Sequence, residues 1–189
     1  MAFEIRDGTG STSTAKVTGK NQLAVAADTM PREGRAAFDG YLHAFTTGPI
    51  TLTTTGSYSG LLYITNSDSR PIYIWQIVAF GTVAVRWQFV KNPTTGTLIS
   101  GGTSISATNV NFASTLTLGA TLKKGGDGST VTNGTTFLYA GNPAFDASSP
   151  LTRTPIIIGQ SGSFALMCRP SASCDAFVSA VVSQEDLDL

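Results

Sequence analysis

His43 is the only histidine in the chain, so any hydrolysis of the Ser–His–acid kind would have to run through it. A nucleophile of that kind needs a base beside it and an acid to orient the base. His43 stands in Tyr41-Leu42-His43-Ala44-Phe45, among aromatic and aliphatic neighbours and no acid. The closest approach to a nucleophile elbow, Gly159-Gln160-Ser161-Gly162, lacks the Gly-x-Ser-x-Gly spacing and a following helix. Packing beside the aromatics, or a place in solvent, is the expected role of His43. Glycoside hydrolysis needs two carboxylates about 5–9 Å apart, one of them held protonated. The 12 acids lie mostly beside turns or near the ends and single out no pair.

Lys124-Gly125-Gly126-Asp127-Gly128 is rich enough in glycine to cradle an anion. Phosphate cradles end on a helix N-terminus, whereas Ser129-Thr130-Val131-Thr132 follows here. Calcium takes six to eight oxygens, and one aspartate falls far short, so a tight turn is expected. Cys168 and Cys174 flank Arg169-Pro170, a plausible hairpin turn. A bridge there would close a small loop and add about 2–3 kcal/mol, but in a reducing cytosol two buried thiols are expected instead. Trp75 and Trp87, with Tyr73 and Phe89, could stack on sugars; they stand in the most apolar runs, where rings belong to the core. The residues point to no enzyme, no cofactor and no metal site.

The elements that hold these residues read as strands. Ser and Thr make up about a quarter of the chain, with 20 Gly, and charged residues only 13% against roughly 25% in ordinary domains. Threonine suits a half-buried pleated surface while offering a hydroxyl to water. Ile50-Thr51-Leu52-Thr53 alternates apolar and polar between Gly48-Pro49 and Gly56, the period-2 mark of a strand with one wet face. Leu61 to Ile64 stops at the polar turn Asn66-Ser67-Asp68-Ser69, Pro71 to Phe80 forms the next strand, and Val83 to Val90 alternates around Trp87 and Phe89. Weaker strands are expected over Thr97–Ser100, Ser104–Phe112, Leu116–Leu118 and Thr121–Leu122. Phe137–Tyr139, Ile156–Ile158, Phe164–Cys168 and Ala176–Val182 complete the series. About eight strands with turns between them predict an all-β fold: a single two-sheet antiparallel sandwich over residues 41–189. A jelly roll suits eight such strands; a Greek-key sandwich with one more strand would give the same pattern. No segment carries the apolar stripe of an amphipathic helix.

Residues 1–40 differ, with glycines, mixed charges and only short apolar runs such as Leu23-Ala24-Val25. They read as an extended N-terminal arm that cannot build a core and orders on binding. The chain carries 12 Lys and Arg against 12 Asp and Glu, without the basic cluster that phosphate binding requires. No apolar run reaches the ~18–20 residues that span a membrane. The opening MAFEIRDGTG has charges where a secretory leader would be apolar, so synthesis and folding in a cytosol are expected. Neither nucleic acid nor membrane is an expected partner. The acidic tail Glu185, Asp186 and Asp188 reads as a solvated terminus.

The order of several short phrases resembles small virion proteins of tailed phages, of the head decoration (capsid cement) or head-fibre type. The phrases are Gly8-Thr9-Gly10 leading to Lys16–Val25, Tyr41 to Thr53, Leu61–Asn66, Val90–Thr97, Asn111–Ser114 and the Lys124–Gly128 turn. The resemblance implies a jelly-roll homo-oligomer, a trimer, bound to the major capsid protein on the virion surface and made in the host cytoplasm. The arm cations Arg6, Lys16, Lys20, Arg32 and Arg35 would then meet carboxylates of the shell, and removal of residues 1–40 should leave a folded oligomer that no longer attaches. The alternative is a receptor-binding tip module, with Ser/Thr/Asn-rich loops, including Asn133 and Asn142, gripping a host glycan.

Overall fold

The alternation read at Val85, Trp87 and Phe89 is the alternation the fold uses: all three are buried, while Arg86 between them is exposed. The computed structural model describes residues 32–142, 144 and 155–185. In chain order the elements are α1 (Arg32–Phe38), β1 (Leu42–Thr46), β2 (Ile50–Leu52), β3 (Ser59–Asn66), β4 (Ile72–Gly81) and β5 (Val85–Lys91). Then come α2 (Thr97–Gly101), β6 (Thr103–Ser104), β7 (Thr108–Asn109) and β8 (Ala120–Lys124). The last four are β9 (Thr135–Asn142), β10 (Ile156–Ile158), β11 (Ser163–Pro170) and β12 (Cys174–Gln184).

One sheet runs β10-β4-β12-β1-β7, with β2 also paired to β12; the other runs β6-β8-β3-β11-β5-β9. Every strand pair is antiparallel. The protein is an all-β two-sheet sandwich. Strands distant in sequence pair as a folded ribbon would: β1 with β12, β3 with β11, β4 with β10, β5 with β9. Side chains from both sheets fill the space between them, among them Leu52, Ile74, Trp87, Phe89, Phe164 and Val182.

A smaller cluster lies on the back of the second sheet. Tyr63, Val90, Ala165 and Met167 alternate with core residues and therefore point outward, yet they are buried, because Leu98 of α2 and Val131 pack with them. Gly60 makes room for that lid: a Cβ there would come within 2.8 Å of Leu98 Cδ2.

Several expectations are corrected. Twelve strands are described rather than about eight, four of them (β2, β6, β7 and β10) only two or three residues long. Thr97–Ser100 is helical, not extended: its job is to place Leu98 on the sheet. Leu116–Leu118 is not a strand, and Ser104–Phe112 yields only the end of β6 and the two-residue β7. Leu42–Thr46, unread as a strand, pairs with both β12 and β7.

Of the predicted arm, residues 1–31 lie outside the described residues, but 32–40 form α1 and its cap. Gly40 has φ +80°, and its N–H donates to Ala37 O (3.2 Å) while Tyr41 N–H donates to Ala36 O (2.7 Å). That pair of bonds around a left-handed glycine is a Schellman termination. Ala36 is fully buried. A cut at residue 40 would therefore remove part of the folded body, and a truncation of the arm belongs at residue 31.

Candidate binding surfaces

His43 occupies β1 opposite Val182 and Asn109 and is 3% exposed. Burial lowers its pKa below the ordinary 6.5. The cavity beside it, about 250 Å³, is lined by Ile105, Asn109, Leu118 and Leu122 among others, with no carboxylate. Of the two placements that its neighbours allowed, packed or in solvent, His43 takes the packed one.

The glycine-rich segment is a turn tied to the β2–β3 connection and the start of β3. The Asp127 carboxylate accepts from the hydroxyls of Thr53 and Thr54 and from the Thr54 N–H. Those bonds hold its pKa below the usual aspartate range. Gly128 N–H donates to Ser59 Oγ at 3.0 Å. Asp127 is thus committed to the β2–β3 connection.

Trp87 is fully buried in the core. Trp75 is half-buried at the β4–β12 bulge, donates to Ser183 Oγ at 2.9 Å and stacks on Tyr73. Asn133, at φ +59°, is exposed and bonds Thr95 Oγ1. Asn142 is corrected: it is not a loop ligand but a buried residue ending β9, donating to Ala79 O at 3.0 Å. Arg6, Lys16 and Lys20 lie outside the described residues. Arg32 opens α1, and Arg35 in its last turn pairs with Asp39 at 3.3 Å.

Cys168 and Cys174 are free and buried. Burial pushes the Cys168 thiol up to about 12 and raises that of Cys174. Since the thiolate is the reactive form, neither should react with DTNB at pH 8 in the folded protein, and both should in denaturant. Rapid native labelling of either would contradict this placement.

Two surfaces remain. The first is on the back of the second sheet, beside the Leu98 lid. Arg86 and Arg169 face each other across β5 and β11, alternating with the inward Trp87 and Cys168. The Arg169 guanidinium lies 5.3 Å from the Tyr58 ring centroid. Tyr58 and Tyr139 stand 6.3 Å apart at 50°, and Tyr139 is 63% exposed. Tyr58, Arg86, Tyr139, Ala140 and Gly141 line a depression of about 440 Å³.

The second is the edge of the sandwich. β9 has β5 on one side and no described strand on the other. Its sequence, TTFLYAGN, carries neither charge nor proline, the usual devices that keep edges from pairing. A bulge at Phe137, where Phe89 and Val90 oppose Leu138 and Thr136, turns that ring toward Phe89 and Phe164. Beside it a cleft of about 550 Å³ is walled by Phe137, Phe164 and Ile156 to Ile158. Phe137 and Ile157 are 46% and 58% exposed.

No family model, curated protein or solved structure matches the chain.

Neither surface was foreseen. The edge had a partial signal in Phe137-Leu138-Tyr139, an aromatic strand without gatekeeping charges. The four residues of the Tyr–Arg surface come from the approach to β3 and from β5, β9 and β11, and only strand register brings them together.

Proposed function

We propose that the protein is a virion structural protein, a capsid decoration protein that binds the outer surface of a phage head as a homotrimer and stabilises it. The order of phrases resembling phage head proteins supports this reading, and so does the strand pairing. Counting only β1, β3, β4, β5 and β9 to β12, the first pairs with the eighth, the second with the seventh, the third with the sixth and the fourth with the fifth. That nesting of pairs supports a jelly-roll reading, an architecture used by viral capsid domains.

The observation that carries the proposal is the β9 edge. The uncharged strand has no described strand on its outer side, next to exposed Phe137 and Ile157. Such an edge is a template for another chain, and a second copy of this chain is the occupant: the copies of the trimer meet along β9 and its apolar cleft. Symmetric copies on a symmetric lattice then turn several modest contacts into firm attachment through effective concentration. Arm cations meeting shell carboxylates add attachment, each pair contributing little alone.

Light scattering and co-sedimentation with purified phage heads test this reading. The full chain should be trimeric and sediment with heads. A chain starting at Arg32 should stay folded and trimeric but remain in the supernatant. Phe137→Lys, which puts a charge in the cleft, should dissociate the trimer. A full chain that is monomeric and ignores heads would end the proposal.

A further inference from the structure

Arg86 and Arg169 present a problem that the described residues do not solve. They are directly opposed on neighbouring strands, where like charges destabilise a sheet. Neither guanidinium bonds or ion-pairs with a carboxylate among the described residues. Among the described residues the ring engaged is Tyr58, under Arg169. A planar anion lying across both guanidiniums would remove the repulsion, and a carboxylate has the matching fork geometry.

The surroundings narrow the ligand further. Tyr58 and Tyr139 form a corner of two tilted rings over the same depression, an arrangement suited to the C–H faces of a sugar. Gln88 Nε2 lies beside the Tyr139 hydroxyl (3.5 Å) and bonds Thr136 Oγ1 (2.6 Å), which sets polar groups at the rim. Ala140 and Gly141 form part of the lining with almost no side chain, so a ring can approach the backbone. The volume, about 440 Å³, is in the range of small-molecule sites. Two cations with a net chain charge of zero are too few for nucleic acid, whose affinity grows with each phosphate neutralised.

We propose that Tyr58, Arg86, Tyr139 and Arg169 form a binding site for a carboxylate-bearing sugar residue of an acidic polysaccharide. The site is on the back of the second sheet and does not depend on the attachment reading above. It also differs in place and chemistry from the Ser/Thr/Asn loops that the sequence suggested for glycans.

Calorimetric titration of the full chain tests it with four probes: an oligogalacturonide, a sialylated oligosaccharide, the methyl ester of the first, and inorganic phosphate. At least one carboxylated sugar should bind, more weakly as salt rises. The ester, with rings intact but charge removed, should bind about ten- to hundredfold less tightly, and phosphate should not compete at equal concentration. Arg86→Gln and Arg169→Gln should each weaken binding by a similar factor, and Tyr139→Ala by about tenfold. Both arginine variants should melt at or slightly above the parent temperature, because each removes one of two repelling charges. Failure of both carboxylated sugars to bind, or equal binding by ester or variants, overturns the proposal. So does a changed oligomeric state in Arg86→Gln, which would mean that another copy covers this face.

Discussion

Trp87→Ala should destabilise the protein by about 3–5 kcal/mol, seen as a fall of roughly 6–20 °C in melting temperature for a chain of this size. Trp87 is fully buried in β5, between Cys168 of β11 and Ala140 of β9, with its ring in the space between the sheets. Alanine removes the largest side chain of the core, and the β-sheet around it is too constrained to close the hole. The companion variant gives a sharper test. The Trp87 Nε1–H meets no acceptor among the described residues, and a buried orphan donor costs about 1–3 kcal/mol. Trp87→Phe keeps most of the apolar area and deletes that donor, so its net cost should stay below about 1.5 kcal/mol. Equal damage from phenylalanine and alanine in thermal or urea unfolding would show that the indole N–H has a partner.

The same residue explains what could be read in advance. Strands with strict alternation around large apolar side chains, such as Val85–Lys91 and Cys174–Gln184, announce both their period and their buried face. Where burial is on both faces, as in Ser59–Asn66, an unbroken apolar run still reads as a strand. The failures have physical causes. Thr97–Gly101 has strand-like residues, but one buried contact at Leu98 outweighs propensity over so short a stretch. Helix α1 is too short to display a stripe; its legible signals were Gly40 and the Arg35–Asp39 spacing. β1 holds His43 and Thr46, polar residues that break its apolar run, and still lies inside its sheet between β12 and β7. The Tyr–Arg surface had no local signature at all. Arg86 and Arg169 become neighbours only through the β5–β11 register, which no nearby spacing encodes.

Asn66 carries the other large effect, because it ties the two sheets together with polar bonds inside the core. It ends β3 in the second sheet and is 2% exposed. Its Nδ2 donates to Arg70 O (2.9 Å) and to Ile158 O (3.1 Å), the latter on β10 of the first sheet. Its Oδ1 accepts from the Asp68 N–H (3.0 Å) and from Gln184 Nε2 (3.1 Å), the latter on β12. Gln184 in turn accepts the Gly119 N–H at 2.6 Å through Oε1. All four hydrogen-bonding positions of the Asn66 amide are occupied, so the network is satisfied and rigid rather than a liability. Asn66→Ala leaves the Ile158 carbonyl without this donor and takes an acceptor from Asp68 and from Gln184. Water can reach the Arg70 turn but not the deeper groups, so the expected loss is about 2–4 kcal/mol, or roughly 4–16 °C. Gln184→Leu strands the Gly119 N–H and should cost about 1–3 kcal/mol. Because the two residues share a bond, the double variant should lose less than the sum of the single losses. Additive losses in a double-mutant cycle would mean that Asn66 and Gln184 act separately.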